Sequence, residues 1–123
     1  MQLRILGCSG GIGGDLRTTS MLLDHDTLID SGTGVGDLSI NELAQIDHIF
    51  VTHSHMDHVA TIPFIVDTVG WMRNRPLTVH ATRETLAILR EHLFNWSCGR
   101  ISARFRTQRI QSCASRRFRW ETR

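Results

Sequence analysis

The segment "VTHSHMDH", Val51 to His58, places three imidazoles and a carboxylate close together: His53, His55, Asp57 and His58. Neutral imidazole suits zinc and similar divalent ions, and a carboxylate adds hard, anionic ligation. In extended backbone, residues two apart point to the same side, so His53 and His55 can converge on one ion. A sharp turn after them can carry Asp57 and His58 to a second ion beside the first. Two divalent ions about 3.5–4 Å apart activate water and polarise a phosphoryl or carbonyl oxygen, which is what hydrolysis needs. A lone histidine at a strand end is more often a hydrogen-bonded surface group. Four ligand-type residues at this spacing, directly after an apolar strand, point to metal.

Several elements must position this cluster. "QLRIL" reads as a first strand over residues 2–6, followed by the glycine-dense loop "GCSGGIGGD". That loop has no trailing Lys-Ser/Thr and opens no helix, so it does not read as a phosphate loop. The runs Met21–Leu23 and Thr27–Ile29, separated by "DHD", form a hairpin pattern. Ser39 with Glu42 three residues on is a capping box for a short helix through Ala44. "DHIFVTH" reads as a buried strand through Ile49, Phe50 and Val51, delivering the histidines at its end. "VATIPFIVDTVGWM" reads as a helix with Pro63 near its first turn. "RPLTVHA" is a further strand. "TRETLAILREHLFNW" is the clearest helix, with Thr82 as N-cap and Leu86, Leu89 and Leu93 on one face. Strands followed by strand–helix–strand–helix make an α/β pattern.

Composition sets outer bounds. The chain has 123 residues, 41% hydrophobic and 21% charged, ordinary values for one globular domain. No apolar run reaches the length of a membrane span, and the few residues before Cys8 include Arg4, leaving no room for a leader's apolar region. A cytoplasmic protein with no membrane partner is the expectation. Cys8, Cys98 and Cys113 have no metal-like spacing and read as reduced thiols.

His-x-His-x-Asp-His, "HSHMDH" here, is the signature of the metallo-β-lactamase superfamily, which this sequence resembles. The surroundings are similar too: an N-terminal strand, a Gly/Ser/Thr-rich loop, "LLDHDTLIDSG" ending in an acid, then "IDHIFVTHSHMDHVATIPFI". "HSHMDH…PFIVDTV" and "PLTVHATRETLAILREHLFNW" look most like the class II cyclic-nucleotide phosphodiesterases and their relatives. The resemblance covers residues 1–97. It implies an α/β fold, the N-terminal half of a four-layer αββα sandwich with metals at the edge between its sheets. It also implies two zinc ions, with manganese an alternative. His53 and His55 would bind the first ion, and Asp57 and His58 the second. Asp57 would orient or deprotonate the attacking water, and Asp30 would fix the histidine loop from behind. The expected activity is hydrolysis of a phosphodiester substrate such as a cyclic nucleotide. The alternative is a small-molecule thioester or lactam.

The family pattern requires a further histidine, a bridging aspartate and a final histidine. Only His80 and His92 follow His58, and neither matches a ligand position, so both are expected to be packing or surface residues. Low or no activity follows, unless a homodimer completes the site; a non-enzymatic fragment is the alternative. A half-sandwich also leaves one sheet face uncovered.

Charge divides the chain at the same point. Residues 1–97 hold 6 Arg against 11 acids, and residues 98–123 hold 8 Arg against Glu121 alone. An Arg-rich stretch in a chain without lysine is what a shifted reading frame in a GC-rich gene produces. The reading favoured for 98–123 is therefore a non-native continuation after a frame change near Ser97–Cys98. The alternative is a nucleic-acid-binding arm, with Phe105, Phe118 and Trp120 among the arginines.

Overall fold

The computed structural model describes residues 1–95 and 105–109. Strands β1 (Leu3–Gly7), β2 (Ser20–Leu23) and β3 (Thr27–Ser31) are followed by a 3-10 turn at Thr33–Asp37. Then come helix α1 (Ile40–Ala44), strand β4 (His48–Phe50) and helices α2 (Met56–Val59) and α3 (Ile62–Val69). Strand β5 (Leu77–Ala81), helix α4 (Arg83–His92) and strand β6 (Phe105–Arg109) complete the order. The sheet runs β1-β2-β3-β4-β5-β6, antiparallel through β3 and parallel from β3 onward. This is the expected α/β class. The division at Ser97–Cys98, Cys98, Cys113, and the side chains of Phe105, Phe118 and Trp120 lie outside the described residues. Of the Arg-rich segment, only the backbone of β6 is described. Among the described residues no helix is long and apolar enough to cross a membrane.

Local chemistry accounts for the element ends. Ser39 Oγ accepts from the Glu42 backbone N–H at 3.2 Å while Glu42 Oε2 accepts from the Ser39 N–H at 2.8 Å, the reciprocal capping box read from the sequence. Thr82 caps α4 by accepting from Thr85 N–H. Leu86 and Leu89 of α4 are buried and Leu93 packs against the same core.

Two expectations need correction. The segment from Val59 to Met72 is not one helix: α2 and α3 are separate, with Thr61 between them. The Thr61 side chain donates to the Ser31 carbonyl and its backbone N–H donates to the same oxygen, tying the break to the end of β3. Pro63, which has no N–H to give, then sits in the first turn of the new helix α3. Nor is "IFV" buried as a continuous run. Ile49 is fully buried and Val51 nearly so, but Phe50 is 39% exposed, because β4 alternates its side chains between two faces.

One face of the sheet carries Leu22, Leu28, Ile49, Val79 and Ala81, which bury against Ile62, Ile65, Val69, Leu86 and Leu89 of the helices. The other face carries the cross-strand row Ile5, Met21, Ile29, Phe50 and His80. Among the described residues this face is open at Ile5, 56% exposed, and Phe50, 39% exposed, and closed at His80, 8% exposed.

Candidate metal centre

The parallel register Ile29↔Phe50 brings the ends of β3 and β4 side by side. Asp30 near the end of β3 and the chain beyond β4 form the site. Asp30 takes a positive φ of 58°, a conformation short polar residues tolerate better than most and one that recurs at functional positions. Its carboxylate is 2% exposed and accepts three hydrogen bonds from across the loop. Thr52 N–H donates to Oδ1 at 2.8 Å, and Thr52 Oγ1 donates to Oδ2 at 2.7 Å. His58 Nδ1 lies 2.8 Å from Oδ2 and, facing a carboxylate, carries the proton of that bond.

His53, Asp57 and His58 come together: one ligand atom from each lies within 4.8 Å of the other two. The His53 and His58 ring centroids are 4.0 Å apart. His55 occupies the N-cap position of α2 without a side-chain capping bond, exposed, with its ring 4.8 Å from that of His53 and roughly edge-on to it. It stands beside the three-residue group and is not a member of it. The chain from Val51 to His55 is irregular rather than a continuing strand, so the side-sharing rule for extended backbone does not govern these two rings.

The donor chemistry fits a divalent cation. In the neutral ring with Nδ1 of His58 donating to Asp30, Nε2 carries the lone pair, and that atom lies 3.3 Å from Asp57 Oδ2. A proton on Nε2 or a cation held by both atoms satisfies that contact, and the half-buried setting weakens solvent's ability to substitute for either.

His80 and His92 stay outside the group. His80 is 8% exposed, stacks on Phe50 at 4.3 Å between ring centroids, and shares a 3.0 Å hydrogen bond with His48 Nδ1. Burial, and after it the neighbouring His48, push the His80 imidazole below its ordinary 6.5. His92 lies on the surface next to Glu91. Both have the packing and surface roles expected of them.

Three supporting residues were not singled out by sequence reasoning: Thr52, Thr61 and Gly32. The available signal was slight, a hydroxyl directly before the first histidine and a glycine two positions after Asp30.

The family model described as "Beta-lactamase superfamily domain" matches residues 25–117. Ribonuclease Z of Halorubrum lacusprofundi is 39% identical over 89 residues, 65% of this chain and 29% of that protein. The chain spans about a third of the length of the curated relatives it matches. Among solved structures, the metallo-β-lactamase fold protein YhfI of Bacillus subtilis superposes with a TM-score of 0.66 at 17% identity, over 89% of this chain and 44% of that one. Human tRNase Z, short form, superposes with a TM-score of 0.66 at 18% identity, over 93% of this chain and 47% of that one. Motif, topology and family match agree: the chain belongs to the β-lactamase superfamily domain family and has the N-terminal portion of the metallo-β-lactamase fold.

Proposed function

We propose that this chain carries the metal-binding portion of a divalent-metal-dependent hydrolase that cleaves phosphodiesters. The observation that supports it most is the convergence of His53, Asp57 and His58 within 4.8 Å, backed by the buried Asp30. His53, Asp57 and His58 would hold one ion, with zinc suited to the two imidazoles and manganese the alternative. His55, beside His53, is the next donor toward the two-ion site of the family pattern, with His53 and His55 on one ion and Asp57 and His58 on the other. A divalent ion bound here supplies Lewis acidity toward a phosphoryl oxygen and acidifies water. Asp57, whose side chain is 31% exposed, is reachable by solvent and would orient the attacking water and take its proton. Asp30 keeps His58 turned toward the ion through the Nδ1 hydrogen bond. All of these residues lie within residues 1–97, the unit to which the site is assigned.

The substrate favoured within this class is an RNA phosphodiester, because the relative at 39% identity is a ribonuclease Z. Titration calorimetry with zinc or manganese tests the site, and hydrolysis of bis(4-nitrophenyl) phosphate, an RNA oligonucleotide and a cyclic nucleotide tests the chemistry. One ion per chain, lost in Asp57→Ala and His58→Ala, is expected, with weak phosphodiester turnover. Absence of saturable cation binding, or binding unchanged in Asp57→Ala, overturns the proposal. Turnover of a thioester or lactam in preference to all three phosphodiesters overturns the substrate class. Robust turnover abolished by His55→Ala would mean that a second chain completes the ligand set.

A further inference from the structure

We infer that Thr52 is a positioning residue that selects the tautomer of His53, leaving Nε2 as the nitrogen free for a metal ion. The inference rests on the metal-site reading above for its purpose, though not for its geometry.

A threonine hydroxyl has one proton and two lone pairs. The Asp30 carboxylate, almost completely buried, offers only acceptors, and Thr52 Oγ1 lies 2.7 Å from its Oδ2. That contact uses the hydroxyl proton. The same Oγ1 lies 3.0 Å from His53 Nδ1, so what it presents to the ring is a lone pair. Nδ1 must therefore carry hydrogen and donate; two lone pairs at that distance would repel. A neutral imidazole protonated at Nδ1 has its lone pair at Nε2.

His58 receives the same assignment directly, through its Nδ1 bond to Asp30 Oδ2 at 2.8 Å. One buried carboxylate thus sets both imidazoles, His58 by contact and His53 through a hydroxyl relay. Protonation at Nδ1 is the form that solvated histidine disfavours, so the relay has to be maintained by the protein. The Thr52 backbone N–H separately anchors Asp30 Oδ1 at 2.8 Å. Removing the hydroxyl therefore leaves the loop attached, and the relay can be tested apart from the fold.

The test is two-bond proton–nitrogen correlation NMR of the metal-free protein, above the range where histidine titrates, with zinc titration alongside. In wild type, His53 and His58 both report hydrogen on Nδ1. In Thr52→Val, His58 keeps that form, His53 shifts toward hydrogen on Nε2, and zinc affinity falls about tenfold or more. Thr52→Ser, which retains the hydroxyl, restores the His53 signature and the affinity. His53 protonated at Nε2 in wild type, or unchanged in Thr52→Val, overturns the inference. So does a serine variant as impaired as the valine one, which would mean that shape rather than the hydroxyl is at work. Wild-type protein with the expected tautomers but no zinc binding would sink the metal reading and leave the relay standing.

Discussion

Gly32 shows how tightly the loops behind the site are packed. Its φ of −81° is open to any residue, so conformation does not require glycine here. Space does: a Cβ would run into Thr18 Oγ1 and would lie 2.5 Å from the Asp57 carbonyl oxygen. Thr18 cannot yield readily, because its backbone and side chain exchange hydrogen bonds with those of Thr33 at 2.9 and 2.7 Å. Gly32→Ala should therefore push the Asp57 backbone, costing about 2 kcal/mol and weakening cation binding. Gly36→Ala is the control, since nothing lies within 4 Å of its added methyl. Urea unfolding and zinc titration of both variants check this; equal behaviour would mean that the Asp57 loop gives way freely.

Between elements, the buried guanidinium of Arg73 joins the end of α1 to the starts of β4 and β5. It donates to the Ala44 carbonyl and to Asp47 Oδ1, each at 2.7 Å, and more weakly to the Pro76 carbonyl. Its Nε is buried without a partner, so the burial is not free of cost. Arg75 reaches the same Asp47 oxygen at 2.6 Å from an exposed position. Burial raises the Asp47 pKa, but the hydrogen bonds from Arg75 and Arg73 outweigh it and hold the carboxyl below its ordinary 3.8. A carboxyl that holds its proton less tightly when folded stabilises the fold above its unfolded value. That contribution is present above pH 3.8 and is lost as pH falls through the lowered folded value. Arg73→Ala should cost about 3 kcal/mol at neutral pH, because it leaves Asp47 and the Ala44 carbonyl short of a partner. The deficit should narrow as pH falls below 3.8 and through the lowered folded value, where the carboxyl becomes neutral. Arg75→Ala should leave the unfolding midpoint little changed. Unfolding curves at the two pH values decide; a deficit that is independent of pH would remove Asp47 from the account.

For the whole molecule, the partly open sheet face is the dominant feature among the described residues. The row Ile5, Met21, Ile29, Phe50 and His80 crosses five strands, and Leu3, 53% exposed, adds to it beside Ile5. Exposed apolar side chains such as Leu3, Ile5 and Phe50 on one face favour association in water. Purified chain should self-associate as its concentration rises, and Ile5→Lys should suppress that association without lowering helix content. Light scattering coupled to size exclusion measures the first and circular dichroism the second. Association unaffected by the lysine would place the contact elsewhere.

How much of this was legible in advance depended on range along the chain. The capping box at Ser39–Glu42, the Thr82 cap, the Asp24–Asp26 turn and the apolar stripe of α4 were readable because each is decided by residues a few positions apart. The ligand types in "HSHMDH" were equally legible, since the chemistry belongs to the side chains themselves. The separation of α2 from α3 was not, because its cause is a bond from Thr61 to β3, thirty residues away. By itself, then, the sequence determined the family motif, the kinds of donor and the local elements. Only the tertiary structure decided that His53, Asp57 and His58 converge with His55 beside them, and that Thr52 stands between Asp30 and His53. The reason is that Asp30 reaches Thr52 across 22 positions and His58 across 28. Such contacts follow from the parallel register of β3 on β4 and the irregularity of β3 at Asp30, which no local pattern specifies.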